Sequence, residues 1–370
     1  MILRIISLMA ITLIPTTFSY AKEFKVAMIY PRDAPFWRTV IKLSQESAND
    51  LGIELTAYNA KDSHVKMKKI LQTVVAGPDK VDAVVFSNFK HMAPKLIEIA
   101  DAAGVYSFLF NSAMNSKDAK SAGSPRVKYK NWIGEMLPDE TSAGIKLTNL
   151  LIDAALANGK VNADGQVEAI GINGPRASGS AIVREKLLEH AVGMRNDVEL
   201  LQIVHSEKWD EKDSKQKFIG LANRYPAVSV YWAGNDRLVN GIIQGANELK
   251  LKPGTDIFTG GSGLNETTLK QIQAGHVVAS YGGHYIEGAW VMVLLYDYLN
   301  GIDFAQESLE MKTPVGVATK ENVDLYLGKL TEEKLSESNL RKIDFTQYSK
   351  KYNPSVSKYN FDFDSVLDQL

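Results

Sequence analysis

The chain has 370 residues, of which 45% are hydrophobic and 23% charged, and Lys plus Arg (42) nearly balances Asp plus Glu (43). That length exceeds one typical domain of about 100–200 residues and points to two; the balanced charge argues against a nucleic-acid partner, which a basic excess would serve. With no cysteine, disulfide scaffolds, thiolate zinc sites, cysteine nucleophiles and iron–sulfur clusters are excluded.

The first 21 residues have the pattern of a secretory leader: Arg4, a mostly apolar run from Ile5 to Ile14, Pro15, then Ser19-Tyr20-Ala21 with small residues at the −3 and −1 positions. The run is short of the roughly 20 apolar residues a membrane span needs. No cysteine follows it to carry a lipid. The expectation is an exported periplasmic protein, cleaved near Ala21 and not lipid-anchored.

From Phe24 the chain alternates strand and helix. Phe24–Tyr30, Ile53–Tyr58, Ala83–Phe86 and Val105–Phe110 read as strands; helical patterns run to Asp50, over Met67–Val75 and over Met92–Ala103. Residues 111–130 lose the rhythm and read as a surface excursion, followed by a crossing segment near Asn131–Gly134. A helix over Pro138–Ala157 stops at Asn158-Gly159. Alternation then restarts with strands at Val167–Ile172, Val198–Val204, Ala227–Trp232, Ile257–Thr259 and Val277–Tyr281, separated by helices. The apolar stretch Ala289–Leu299 is interrupted by Asp297 and reads as a helix buried against a sheet. Beyond Leu325 the chain turns polar, a tail draped on the body. The fold class is α/β, with parallel sheets covered by helices on both faces.

Enzymatic signatures are sparse. The six histidines form no metal-ligand pair, no nucleophile elbow or phosphate loop occurs, and Tyr30-Pro31-Arg32 stands where a dinucleotide-binding glycine loop would follow the first strand. No cofactor and no metal are expected. A secreted α/β glycan hydrolase using two of the many carboxylates stays open as the alternative to a binding protein.

Ligands of parallel α/β sheets bind beyond the carboxyl ends of the strands. The polar and aromatic residues falling there are Phe36, Trp37, Asn88, Asn111, Arg184, Asn235, Asp236, Ser262 and His284, with Arg176 nearby. Aromatic faces stack on sugar CH surfaces, and Asn, Arg and Asp pair with hydroxyls. Each also has a plainer reading. Trp37 suits the first core position of its helix, Asp236 a helix cap, Arg184 an exposed helix face, Asn111 and Asn235 turns, and His284 a bond to a backbone carbonyl.

The order of these features resembles the sugar-type class of type I periplasmic binding proteins, over roughly residues 24–325. The segments that carry it are Ala34-Pro35-Phe36-Trp37, Asp139 to Ala143-Gly144 after the first crossing, Val183-Arg184-Glu185, Asn235-Asp236 with Gly241, and Thr313-Pro314 through Val323. Two departures, Gly260-Gly261-Ser262 in place of the usual aspartate and Gly283-His284 in place of the usual amide, shift the expected ligand from an ordinary aldopyranose to a carbohydrate-like molecule.

The resemblance implies two doubly wound parallel-sheet lobes joined by a three-strand hinge. The first lobe would hold 22–134 with 285–312, the second 135–284 with 313–345, and 346–370 would be the tail. It implies a monomeric receptor that closes on a small polar ligand and presents it to an ABC transporter permease or a membrane sensor; the long polar tail favours a sensor. Phe36, Trp37, Asn111, Arg184 and Asn235 would line the cleft.

Overall fold

The computed structural model describes residues 24–370, so the expected leader at 1–21 lies outside the described residues. Strands β1 (Phe24–Tyr30), β2 (Ile53–Asn59), β3 (Ala83–Phe86), β4 (Tyr106–Phe110) and β5 (Trp132–Pro138) alternate with helices α1 (Pro35–Leu51), α2 (His64–Val74), α3 (Ala93–Ala102) and α4 (Ser116–Ala122). Val26 to Ile29 and Ala83 to Phe86 are wholly buried, as central parallel strands covered on both faces require. Local signals set the helix ends. Pro35 opens α1 and Gly52, with φ 66°, closes it, while Ser63 caps α2 by accepting from the Lys66 N–H.

The second run comprises α5 (Thr141–Ala157), β6 (Val167–Asn173), α6 (Gly179–Gly193), β7 (Val198–His205), α7 (Glu211–Arg224), β8 (Val230–Ala233), α8 (Asp236–Glu248), β9 (Phe258–Ser262), α9 (Glu266–Gln273) and β10 (Ala279–Gly282). The chain then returns through α10 (Glu287–Leu299) and β11 (Glu310–Thr313) to the first sheet, and through β12 (Gly316–Thr319) to the second. The two six-stranded sheets have the orders β11-β5-β4-β3-β1-β2 and β12-β10-β9-β8-β6-β7. All pairings are parallel except β10 with β12. These are two α/β lobes, each with a doubly wound parallel sheet.

Three short segments carry the chain between the sheets: Asp139–Glu140, Gly283–Ile286 and Pro314–Val315. The first lies later than the expected crossing near 134, because β5 keeps its ladder with β11 as far as Pro138 opposite Thr313. The expected excursion at 111–130 contains α4. It is tied down by Arg126, whose guanidinium donates to both Asp303 carboxylate oxygens at 2.6 and 2.9 Å.

The C-terminal segment is more than a polar drape. It forms α11 (Val323–Leu327), α12 (Glu337–Leu340), a turn at Phe345–Tyr348 and α13 (Phe363–Leu367), and it buries Leu340, Ile343, Phe345, Tyr348, Tyr359 and Phe363. Residues 337–345, expected with the second lobe, lie instead on α1 of the first. Trp290 of α10 meets the rings of Phe345, Tyr348 and Phe361 at 4.7–5.9 Å. Asp297, the polar interruption in the apolar helix, is the anchor. It is fully buried and accepts from the Ser349 hydroxyl (2.5 Å), the Lys350 and Lys351 N–H groups (2.8 and 3.1 Å) and the Tyr359 hydroxyl (2.8 Å). Among the described residues no helix is long and apolar enough to cross a membrane.

Candidate functional site

A cavity of about 1050 Å³ lies between the lobes at the carboxyl ends of the strands. Its wall includes all nine residues singled out at the strand ends: Phe36, Trp37, Asn88, Asn111, Arg184, Asn235, Asp236, Ser262 and His284. Arg176 is exposed and stands outside it.

The first lobe contributes rings and amides. Phe36 and Trp37 lie edge to face at 5.3 Å, and Trp37 also stacks on Tyr30 and meets Phe110 edge-on. Trp37 is only 9% exposed, so it belongs to the core as well as the cavity wall. Phe36 is less buried, with its ring 5.0 Å from that of His284. Asn88 is committed to backbone, donating to Ala113 O at 2.9 Å and accepting from Ala93 N–H at 3.1 Å. Asn111, in the left-handed region at φ 67°, donates to Glu287 at 3.3 Å. The other Glu287 oxygen accepts from the Thr313 hydroxyl at 2.6 Å. Burial lifts the Glu287 carboxyl to about 8.

The second lobe contributes two buried charges, Arg184 and Asp236, and both are bonded within the chain. Arg184 is 5% exposed, against the exposed helix face its spacing suggested, because α6 turns it inward onto the first crossing segment. Its Nε donates to Glu140 at 2.9 Å, Nη2 makes a second, shorter bond to the same carboxylate, and Nη1 donates to Gly234 O at 2.8 Å. Burial works against the guanidinium charge, but Glu140 more than compensates and holds its pKa above the ordinary arginine value. The helix cap expected of Asp236 is supplied by Asn235, which accepts from Leu238 N–H at 3.0 Å. Asp236 instead ties α8 to the neighbouring strand and loop, accepting from the Ser280 hydroxyl at 2.7 Å and the Asn265 N–H at 2.9 Å. Its burial lifts the carboxyl to about 6.

His284 sits on the second crossing. Its Nε2 is 3.5 Å from Arg184 Nη2. A guanidinium only donates, so Nε2 is the acceptor and the proton resides on Nδ1. Burial and the Arg184 charge push the imidazole pKa well below its usual value, so the ring is neutral. Among the described residues Nδ1–H is then a buried donor with no acceptor, and the neighbouring Tyr285 hydroxyl is likewise buried and without a partner there. Both residues line the cavity.

Trp209, just past β7, also lines the cavity and was not expected from the sequence. The Arg184 guanidinium lies 5.9 Å from its ring centre, and the ring occupies space left by Gly174, where a Cβ would sit 2.2 Å from it. The readable signal was a tryptophan four residues beyond a strand end, with a glycine at the end of the adjacent strand.

The lobes already touch at one edge of the cleft. Phe89 and Ser178 form an isolated antiparallel bridge, Arg32 donates across to Lys208 O at 3.3 Å, and Gly179 approaches so closely that a Cβ would meet Ala113 O at 1.9 Å. Among the described residues no group of three or more His, Asp or Glu is placed to hold a metal ion.

Two α/β lobes, three crossing segments and a cleft of rings and paired charges define a two-lobed solute-binding architecture. The chain belongs to the periplasmic binding protein domain family, whose sequence model matches residues 26–303. Among solved structures it is similar to a periplasmic sugar-binding protein from Pseudomonas fluorescens, at 24% identity and TM-score 0.80 over 93% of this chain and 99% of that one. It is also similar to a galactofuranose binding protein (17%, TM-score 0.73, 85% and 100%). A third is the binding component of the arabinose ABC transporter from Shewanella sp. ANA-3, bound to L-arabinofuranose (16%, TM-score 0.72, 85% and 98%). No curated protein matches the chain by sequence.

Proposed function

We propose that this protein is a periplasmic receptor that captures a small, uncharged, carbohydrate-like ligand between its lobes and presents it to a membrane partner. The observation that carries this reading is the state of the charges in the cleft. Arg184 is neutralised by Glu140, and Asp236 is held by Ser280 and Asn265. A charged ligand group placed beside these two buried side chains would meet charges already committed, and stripping it of water there without a counter-ion is costly; the other charged residues of the wall, Lys42, Lys90 and Glu207 among them, are not buried. Beside them the cleft offers the faces of Phe36, Trp37 and Trp209, the His284 Nδ1–H donor and the Tyr285 hydroxyl. A sugar has the complementary surface, with CH faces to stack and hydroxyls that donate and accept.

The two lobes, taken as residues 24–138 with 287–313 and 139–283 with 314–330, act as jaws turning about the three crossings. An ABC importer or a membrane sensor fits as the partner, since the solved structures it resembles include binding components of ABC transporters. The hydrolase alternative is not carried forward, because the similar solved structures named above are binding proteins and Asp236, the buried carboxylate of the cavity wall, is spent on holding strand and loop together.

Titration calorimetry with ribose, arabinose, galactose, glucose and their glycosides tests the reading. Expected is saturable binding of at least one neutral sugar with the sugar recovered unchanged. Sugar turnover, or preference for a sugar acid or phosphate, would overturn it.

A further inference from the structure

The cavity is too large for one sugar. A hexose ring displaces on the order of 200 Å³, about seven waters at roughly 30 Å³ each, against a cavity of about 1050 Å³. The lobes already meet at one edge through Phe89–Ser178, Arg32–Lys208 and Gly179–Ala113, so the extra space lies away from that edge.

The extra space lies on the side of α1, α9 and the C-terminal segment. Beyond the ring cluster, the cavity wall runs along one face of α1 through Thr39 and Lys42, across to Glu266 at the start of α9, and under Glu332 and Ser336. The segment 330–345 spans both lobes, and its residues up to Ser338 line the outer wall. Glu332 N–H donates to Glu266 of the second lobe at 2.7 Å, and Phe345 N–H donates to Asp50 of the first at 2.9 Å. This part of the wall sets charged and hydroxyl side chains beside Leu330 and Leu335, in contrast to the rings at the other end. Tyr285 lines the same cavity, and its buried hydroxyl has no partner among the described residues, so an acceptor or donor from a ligand would complete it.

Building on the receptor reading, we propose that the protein binds a neutral disaccharide or glycoside, with one ring among Phe36, Trp37 and Trp209 and the second unit in the chamber walled by residues 330–338. Selectivity for length would then reside in the C-terminal segment, while recognition of the first ring resides in the jaws.

The test is calorimetry on the full chain with galactose, glucose, arabinose and ribose beside maltose, lactose, melibiose and trehalose. Expected is at least one disaccharide binding tenfold or more tightly than either of its component rings. Ser336→Trp, which fills the outer chamber, and Lys42→Ala should each bring that ratio close to one. A ratio near one in the unaltered protein, or one that survives both substitutions, would overturn the proposal while leaving the receptor reading standing. Failure of every neutral sugar to bind would overturn the receptor reading, and this proposal with it.

Discussion

The two lobes bring different chemistry to the same cleft. The first presents the Phe36 and Trp37 faces and amides, and the buried acid behind Asn111, Glu287, is held by two neutral donors, Asn111 and Thr313. The second presents ions, but in locked form, as Arg184 with Glu140 and Asp236 with Ser280 and Asn265. Charge here serves as scaffolding, fixing the α6 and α8 ends so that their polar atoms are pre-aimed. The rings of the opposite lobe can then supply area with little orientational demand.

The largest effect should come from breaking the second lobe's pair. Glu140→Ala leaves a buried guanidinium unpaired and should cost about 3–5 kcal/mol in urea unfolding, whereas replacing Glu140 and Arg184 together by Leu and Met should cost less than that single change. In the first lobe, Trp37→Ala should also destabilise by about 3–5 kcal/mol, because the ring is core as well as cavity wall. Trp209→Ala should leave the melting temperature of the empty protein nearly unchanged and abolish its rise on adding sugar. A Trp209 variant that melts early, or a Trp37 variant that does not, would erase the distinction between the rings.

Glu287 makes the contrast visible in pH. Its folded-state pKa near 8 exceeds the unfolded value, so between about pH 4.5 and 8 the folded state binds the extra proton and stability falls as pH rises, by at most about 1.4 kcal/mol per unit. Glu287→Gln should flatten that slope, read from denaturation midpoints across the range. Asp236 acts in the same sense up to about pH 6. The smallest effect on stability is expected from Gly179→Ala, whose methyl group keeps the lobe edges apart. Small-angle scattering should show a larger radius of gyration with sugar present, with affinity lower by about tenfold, or ~1.4 kcal/mol.

Much of this was legible in the sequence. Short apolar strands alternating with helices specify the parallel sheets, and the rule that ligands sit at strand ends brought together nine residues that do share one cavity. The shortfalls have physical causes. Periodicity could not place Arg184, because the partner that buries it, Glu140, is 44 residues away in the chain and on another element. Trp209 lies in a loop, at a positive φ of 54°, where no periodic pattern applies. The C-terminal segment reads as polar because its buried aromatics are widely spaced and docked by irregular backbone. The matching signal was on the other side, in Asp297, a carboxylate that an apolar helix keeps only if something polar comes to meet it.

Tethering the jaws by residues 330–345 has a kinetic consequence. With the hinge closing one side of the cleft and this segment walling the flank at α1 and α9, the seam at Phe89, Ser178 and Gly179 is left as the gate. Residence time then depends on how often that weak seam parts: a two-residue bridge and one long arginine bond hold it. Loosening the seam should quicken exchange in both directions, whereas loosening the tether would add a second exit.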